Sequence, residues 1–390
     1  MSSFIVLRDR KRVTGPFLGG RAAGLEAEAF APFEPRIEVE DVDHRGRADL
    51  LRDPEVVLGT PAMPTRLIEP LDGDDGAPDG VWGITAVRAH ESQLTGTGAT
   101  VAVLDTGIDH EHAAFEGVEL VEEDFSGSGS GDRQGHGTHC AGTIFGRDLD
   151  GERIGIARGV SRALIGKVLG DQGGGSSEMV FRGIRWAVDN GASVISMSLG
   201  FDFPGLVRQR TDDGWPVDLA TSNALEAYRG NLRMFDAIMA QVRAGEAFGA
   251  GTVIVAAAGN ESRRDINAQY EIAASLPAAA EGVISVGAAG RSDDGLVVAP
   301  FSNTFPRIAA PGVDIKSAKA GGGTKVLSGT SMACPHVAGV AALWWEGARQ
   351  AGLPATAQTV AAKTLATARA EVFGSDVDQA DRGVGLVTAP

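Results

Sequence analysis

Thr100-Val101-Ala102-Val103-Leu104-Asp105-Thr106-Gly107-Ile108-Asp109 sets a carboxylate at the end of a short, almost wholly apolar run. A run of this length, rich in β-branched residues and closed by turn formers, reads as a buried strand. Similar runs recur at Arg162–Leu169, Ser193–Leu199, Thr252–Ala257 and Val283–Gly287, with helix-like segments such as Ser177–Asn190 and Ala220–Ala244 between them. Strands apolar on both faces that alternate with helices predict an α/β fold of three layers, a mostly parallel sheet with helices on both faces. Ligand sites in such folds gather at the carboxyl ends of strands, where Asp105 falls.

Composition narrows the function classes. The 390 residues carry 35 Lys and Arg against 51 Asp and Glu, a net charge of -16. That charge repels nucleic acid and anionic membrane surfaces, so neither is expected as a partner. No stretch approaches the ~18 apolar residues that span a bilayer. Two cysteines, Cys140 and Cys334, are too few for a disulfide-stapled scaffold and read as buried free thiols. Near the start, Phe4-Ile5-Val6-Leu7 is too short for a signal-peptide core, and charge follows it at once. A cytoplasmic location is the expectation, with non-classical export left open.

The stretch Glu69-Pro70-Leu71-Asp72-Gly73-Asp74-Asp75-Gly76-Ala77-Pro78-Asp79-Gly80 opposes both helix and strand, and the domain boundary is expected inside it. Residues 1–75 then form a small α+β region, with a strand at Phe4–Leu7 and period-2 alternation around Ile37 and Val39. Residues 76–390 form the α/β domain.

Four segments carry candidate chemistry. Asp105 ends the first strand, although a lone Asp-Thr-Gly is more often a turn or capping aspartate. In Gly135-His136-Gly137-Thr138-His139-Cys140-Ala141-Gly142-Thr143, small neighbours leave His136 open to approach, while His139 reads as a satisfied polar residue. In Gly329-Thr330-Ser331-Met332-Ala333-Cys334-Pro335-His336-Val337-Ala338-Gly339, a loop enters a helix at Ser331, because Pro335 is tolerable only near a helix start. A hydroxyl there faces unpaired backbone N–H groups and the positive end of the helix dipole, though a plain serine cap is the commoner use. Ala256-Ala257-Ala258-Gly259-Asn260 ends another strand with an amide that can donate to a developing oxyanion, or simply make a turn. Each segment is weak alone. Four of them, in the order Asp, His, Asn, Ser, form a specific signal.

Across Val103–His112, Gly135–Thr143, Ser196–Gly200, Ala256–Asn260, Gly329–Gly339 and the closing Gly383-Val384-Gly385-Leu386-Val387, the chain resembles the subtilisin-like serine peptidases. The resemblance implies a serine endopeptidase acting on proteins or peptides. Ser331 Oγ would attack the carbonyl, His136 would carry the proton, and Asp105 would orient the imidazole. The Asn260 side chain and the Ser331 N–H would form the oxyanion hole. Gly173-Gly174-Gly175 and Ser198-Leu199-Gly200 would hold an extended substrate strand between them. Pro277 and Ser275 would flank the primary specificity pocket, Ser275 standing where the family usually has glycine. No cofactor is implied for the chemistry.

The same resemblance makes residues 1 to 75 an inhibitory prodomain, an intramolecular partner that occupies the cleft and is removed by self-cleavage within Glu69–Gly80. Ala114 replaces the family's usual calcium-binding aspartate. Asp148-Leu149-Asp150-Gly151-Glu152 can offer oxygen to calcium but reads better as a polar turn. Asp109-His110-Glu111-His112 lacks the i, i+4 histidine pair of a zinc peptidase helix, so no catalytic metal is expected. Residues 201–250 look like an insertion, either shaping access to the cleft or stabilising the fold. Glu261 can favour a basic substrate side chain or be a solvated surface acid. Two other activities fit the same residues: a peptide-processing or macrocyclising transferase, and a non-catalytic peptide-binding scaffold.

Overall fold

A computed structural model describes residues 2–8, 36–50, 52–73, 81–246, 249 and 251–390. The expected boundary at residues 75–76 and the 74–80 part of the linker lie outside the described residues. The chain divides into two compact units, Met1–Met63 with Phe203–Met234, and Pro64–Asp202 with Phe235–Pro390.

In the larger unit, Thr100–Asp105 is the strand its sequence foretells, in the interior of an eight-stranded sheet. It pairs in parallel with Val194–Met197 on one side and Arg162–Lys167 on the other. Beyond Arg162–Lys167 lies Glu119–Asp124. Beyond Val194–Met197 come Val253–Ala257 and Ile284–Ser292, also parallel. On one side the chain therefore goes first to the edge strand Glu119–Asp124 and then inserts Arg162–Lys167 beside Thr100–Asp105, after which it crosses over and builds outward on the other side. Asp105 stands at that reversal, where the loops leaving adjacent strands part and leave a crevice.

Val101, Val103, Ile165, Val194, Val255 and Val286 are fully or almost fully buried, as strands covered by helices on both faces require. The helices His136–Phe145, Ser177–Asp189 and Thr330–Gln350 cover them. Close packing dictates a glycine at position 339 of Thr330–Gln350, where a Cβ would fall 2.5 Å from Ile156 Cβ.

The expected strand Ser193–Leu199 divides. Val194–Met197 stays in the central sheet, and Leu199–Phe201 leaves it to pair with Pro64–Leu67. Glu119–Asp124 escapes a search for apolar runs because this edge strand is acidic and half exposed. Leu71–Asp72, inside the stretch expected to oppose strand, is a short strand paired with Leu327 and Ser328. Its backbone is held by a neighbour, and local composition carries no trace of that.

In the smaller unit, Ser2–Arg8 pairs antiparallel with both Arg36–Val42 and Val56–Pro61, and Phe4 and Val6 pack with Leu50 from the helix His44–Leu50. The helix Phe203–Asp212 and the first part of Val217–Gly245 belong to this unit as well. Asn231 is fully buried and donates to Pro61 O and Ala227 O, each at 2.9 Å. A Cβ at Gly230 would strike Thr60 Oγ1 at 2.2 Å. Much of the 201–250 segment thus folds with the N-terminal residues. No helix among the described residues is long and apolar enough to cross a membrane.

Candidate active site

His136 opens its helix directly against the Asp-Thr-Gly turn. Gly137 is required there, because a Cβ would fall 2.2 Å from Gly107 O. Gly135 precedes it at φ 92°, a left-handed conformation that favours glycine. Asp132 ties the two segments together: it accepts from Thr106 Oγ1 at 2.9 Å, Gly135 N at 2.7 Å, and Thr138 N and Oγ1 at 2.8 and 2.7 Å. This clamp was not read from the sequence, although an acid four residues before His136, just ahead of a helix, is a capping signal. His136 Nδ1 then meets Asp105 Oδ1 at 2.8 Å, with both side chains 1% exposed. Burial favours the neutral ring, but the charge of Asp105 and its hydrogen bond outweigh it and hold the His136 pKa well above 6.5. Nε2 has no hydrogen-bond partner among the described residues.

Ser331 lies in the first turn of Thr330–Gln350. Pro335, deeper in the helix than its first position, has no N–H to give the Ser331 carbonyl. That carbonyl is satisfied from outside, by Ser198 Oγ at 3.1 Å and Cys140 Sγ at 3.5 Å. Cys140 Sγ also lies 3.8 Å from His136 Nδ1, so it touches both the His136 ring and the Ser331 carbonyl. Cys140 and Cys334 are buried free thiols, as expected. Burial raises both pKa values, that of Cys334 to about 12, which keeps them unreactive.

Asn260 is oriented by its neighbour. Its Oδ1 accepts from Thr330 N at 2.9 Å and Thr330 Oγ1 at 2.8 Å. Nδ2 is thereby turned toward the cleft, where it donates to Glu69 O at 3.0 Å. His139 Nε2 lies between Ile315 O and Lys325 O, both at 3.1 Å, but its Nδ1 is buried with no partner among the described residues, so the expectation of a satisfied residue holds for one ring nitrogen only.

The cleft holds a strand of the chain itself. Pro64–Leu67 runs antiparallel between Gly174–Ser176 and Leu199–Phe201, with Arg66 opposite both Gly174 and Gly200. Leu67 N donates to Gly173 O at 2.7 Å. Ser331 Oγ donates to Ile68 O at 3.1 Å. The Ile68 side chain, 3% exposed, and Ser275 Oγ both lie within 3.6 Å of the point where a Gly200 Cβ would stand. Gly173, Gly174, Gly175, Leu199, Gly200 and Ser275 are thus gathered around one extended segment, while the Ser198 hydroxyl turns to the Ser331 carbonyl. Sequence reading had no signal for the segment itself, because Pro64-Thr65-Arg66-Leu67 gains its strand character from the two edges beside it. About 530 Å³ of open cleft remains beside His136, lined by Gln134, Gln172, Gly174 and Lys319.

A hard cation does not fit the acidic turn: Asp148 is paired with Arg158 at 2.8 Å and Glu152 with Lys316 at 2.5 Å. Among the described residues, one group brings three metal-ligating atoms together, Asp105, His136 and Cys140 within 4.8 Å. Its imidazole and thiol are soft ligands unsuited to calcium.

A buried carboxylate–imidazole pair and a serine in the first turn of a helix thus stand at the carboxyl edge of a mostly parallel α/β sheet. Residues 96–385 match the Subtilase family, and the chain belongs to it. "Subtilisin-like protease 6" of Trichophyton soudanense is 33% identical over 326 residues, 78% of this chain and 66% of that protein. "Thermostable alkaline protease" of Halalkalibacterium halodurans is 35% identical over 269 residues, 67% of this chain and 62% of that protein. "Subtilisin-like protease 3" of Pseudogymnoascus destructans is 37% identical over 259 residues, 63% of this chain and 52% of that protein. The chain spans just under two thirds of the first of these relatives and about half of the last. These relatives overturn the cytoplasmic expectation. A short apolar run at one end of a chain is too narrow a basis for assigning a compartment.

Proposed function

We propose that the protein is a serine endopeptidase that hydrolyses protein or peptide substrates through an acyl-enzyme on Ser331. The observation that carries this reading is the buried 2.8 Å Asp105–His136 pair beside a serine whose hydroxyl meets a peptide carbonyl, that of Ile68, at 3.1 Å. Ser331 Oγ attacks the carbonyl carbon as His136 Nε2 takes its proton. The Asp105 carboxylate stabilises the imidazolium that results. Negative charge on the carbonyl oxygen is met by the Ser331 N–H and by Asn260 Nδ2, which shifts to it from Glu69 O, the next carbonyl along the strand. His136 returns the proton to the leaving amine, and water then releases the acyl group by the reverse route. The substrate strand lies between Gly173–Gly175 and Ser198–Gly200, paired mainly through its backbone, which supports broad sequence tolerance. No step needs a cofactor, and calcium enters none of them.

The N-terminal region acts as an intramolecular inhibitor in this reading. Residues 64–72 follow the path of a substrate through the cleft, with Ile68 against Gly200 and Ser275 as the primary-pocket residue. The bond to be cut is Ile68–Glu69, one residue ahead of the window expected from composition. A fluorophosphonate probe should label the wild-type chain and fail on Ser331→Ala. Mass spectrometry of products from a peptide library should give hydrolysed fragments. Ligated products would replace the reading with a transferase, and uncleaved peptides with a binding scaffold.

A further inference from the structure

Arg66 lies two residues before Ile68 on the cleft strand, and alternation along an extended chain puts both side chains on the same face. Its guanidinium reaches two carboxylates of the cleft wall: Nη2 is 3.3 Å from Glu261 Oε1 and Nη1 is 3.6 Å from Asp202 Oδ1. Glu261 is held in place by groups outside the strand, and Asp202 is registered to the strand through its backbone. The second oxygen of Glu261 accepts from Asn303 Nδ2 at 2.7 Å. Asn303 is itself fully buried, and its Oδ1 accepts from the N–H groups of Glu261 and Ser262, each at 3.1 Å. Asp202 follows the Leu199–Phe201 edge, and its N–H donates to Pro64 O at 2.9 Å, which registers it to the same strand. The carboxylates thus stand in a fixed relation to the bond at Ile68–Glu69, and a cation of the chain already lies between them.

We infer that Asp202 and Glu261 form a subsite selecting a basic side chain, arginine above all, at the third substrate residue on the amino side of the cut bond. The inference deepens the peptidase reading and rests on it. Arginine fits better than lysine because its fork spans two separate carboxylates, whereas an ammonium meets one at a time. Selectivity is moderate, because Arg66 is 41% exposed and water screens both pairs. It acts alongside the tolerant backbone pairing and the Ile68 pocket.

The test uses internally quenched peptides Thr-Xaa-Leu-Ile-Glu-Pro-Leu with Xaa as Arg, Lys, Gln or Glu, cleaved by the self-processed full chain at a concentration fixed by fluorophosphonate titration. The Arg peptide should exceed the Gln peptide in kcat/KM by about fivefold, as expected for two half-exposed ion pairs. The Glu peptide should fall below Gln, and 0.5 M salt should compress the series. In the double variant Asp202→Asn, Glu261→Gln, whose amides keep the shape and the Asn303 bond, the Arg-to-Gln ratio should fall to about one. Reading the ratio within each enzyme cancels any general change in turnover. Equal rates for Arg and Gln in the wild type, or a ratio that survives the double substitution, overturn the subsite and leave the peptidase reading intact. If none of the peptides is cut, the peptidase reading fails and the subsite falls with it.

Discussion

Asp105 holds His136 through a single 2.8 Å bond between side chains that are each 1% exposed. The His136 pKa results from burial, which lowers it, and from the Asp105 carboxylate, which prevails and raises it well above 6.5. The competent base is the neutral ring, so acylation should switch on as pH rises through that raised value. The rate of fluorophosphonate labelling should therefore still be climbing at pH 6.5 and level off above neutrality. A plateau already reached at pH 6 would contradict the assignment. Asp105→Asn keeps the shape but presents the wrong hydrogen-bonding partner to Nδ1, and should lower kcat by about 10⁴-fold.

Asn260 does not orient itself: Thr330 fixes its Oδ1 with two donors, at 2.9 and 2.8 Å. Asn260→Ala should lower kcat by about a hundredfold or more with little change in KM, since the amide acts on charge that develops only in the transition state. Thr330→Val removes one of the two restraints and should cost about tenfold, again in kcat. A variant that loses mainly KM would show Asn260 to be a substrate-binding group instead.

The sheet and the acid–imidazole–serine constellation were legible because both depend on local sequence. Apolar β-branched runs must be buried, and Gly107 and Gly137 mark places where backbone meets backbone. Asp132 and Thr330 were not legible, because their task is to orient His136 and Asn260, and many polar residues near a helix start could have done it. The strand Pro64–Leu67 was hidden for a different reason: its partners lie more than a hundred residues away, at Gly174–Ser176 and Leu199–Phe201. Its composition alone resembles the loop beside it. The paired cations at Asp148 and Glu152 were equally invisible until Arg158 and Lys316 were brought to them.

If Ile68–Glu69 is the self-cleavage bond, the wild-type chain should yield a large fragment whose first residues are Glu69-Pro70-Leu71. Ser331→Ala should remain whole under the same conditions. Replacing Ile68 with Asp puts a charge into the buried position against Gly200 and should slow processing at least tenfold, because an unpaired buried carboxylate is costly. A fragment that instead starts within residues 74–80 would assign the cut to the linker and make the cleft strand a bystander.

Acid stability offers a test of two further buried histidines that does not pass through activity. Burial depresses His139 to about 3 and His336 to about 4, and both stay neutral in the folded state down to those values. Once unfolded, each takes up a proton below ~6.5, so the stability that neutrality confers is present above that value and lost as pH falls. His136 has the opposite sign: its contribution is complete below 6.5 and declines as pH rises through its raised value. Between pH 7 and pH 5 the two neutral histidines should remove roughly 2 kcal/mol each, offset by somewhat under 1 kcal/mol from His136. Most carboxylates stay ionised over that interval, which isolates the histidine contribution. Denaturant unfolding should be measured on Ser331→Ala, where self-digestion cannot intervene. Adding His139→Asn should lower stability at pH 7, because Ile315 O and Lys325 O share His139 Nε2 as a donor. The same change should shrink the further loss on going to pH 5 by about 2 kcal/mol. If the two pH profiles run parallel, His139 does not titrate on unfolding in this range, and its burial does not set the acid limit of the fold.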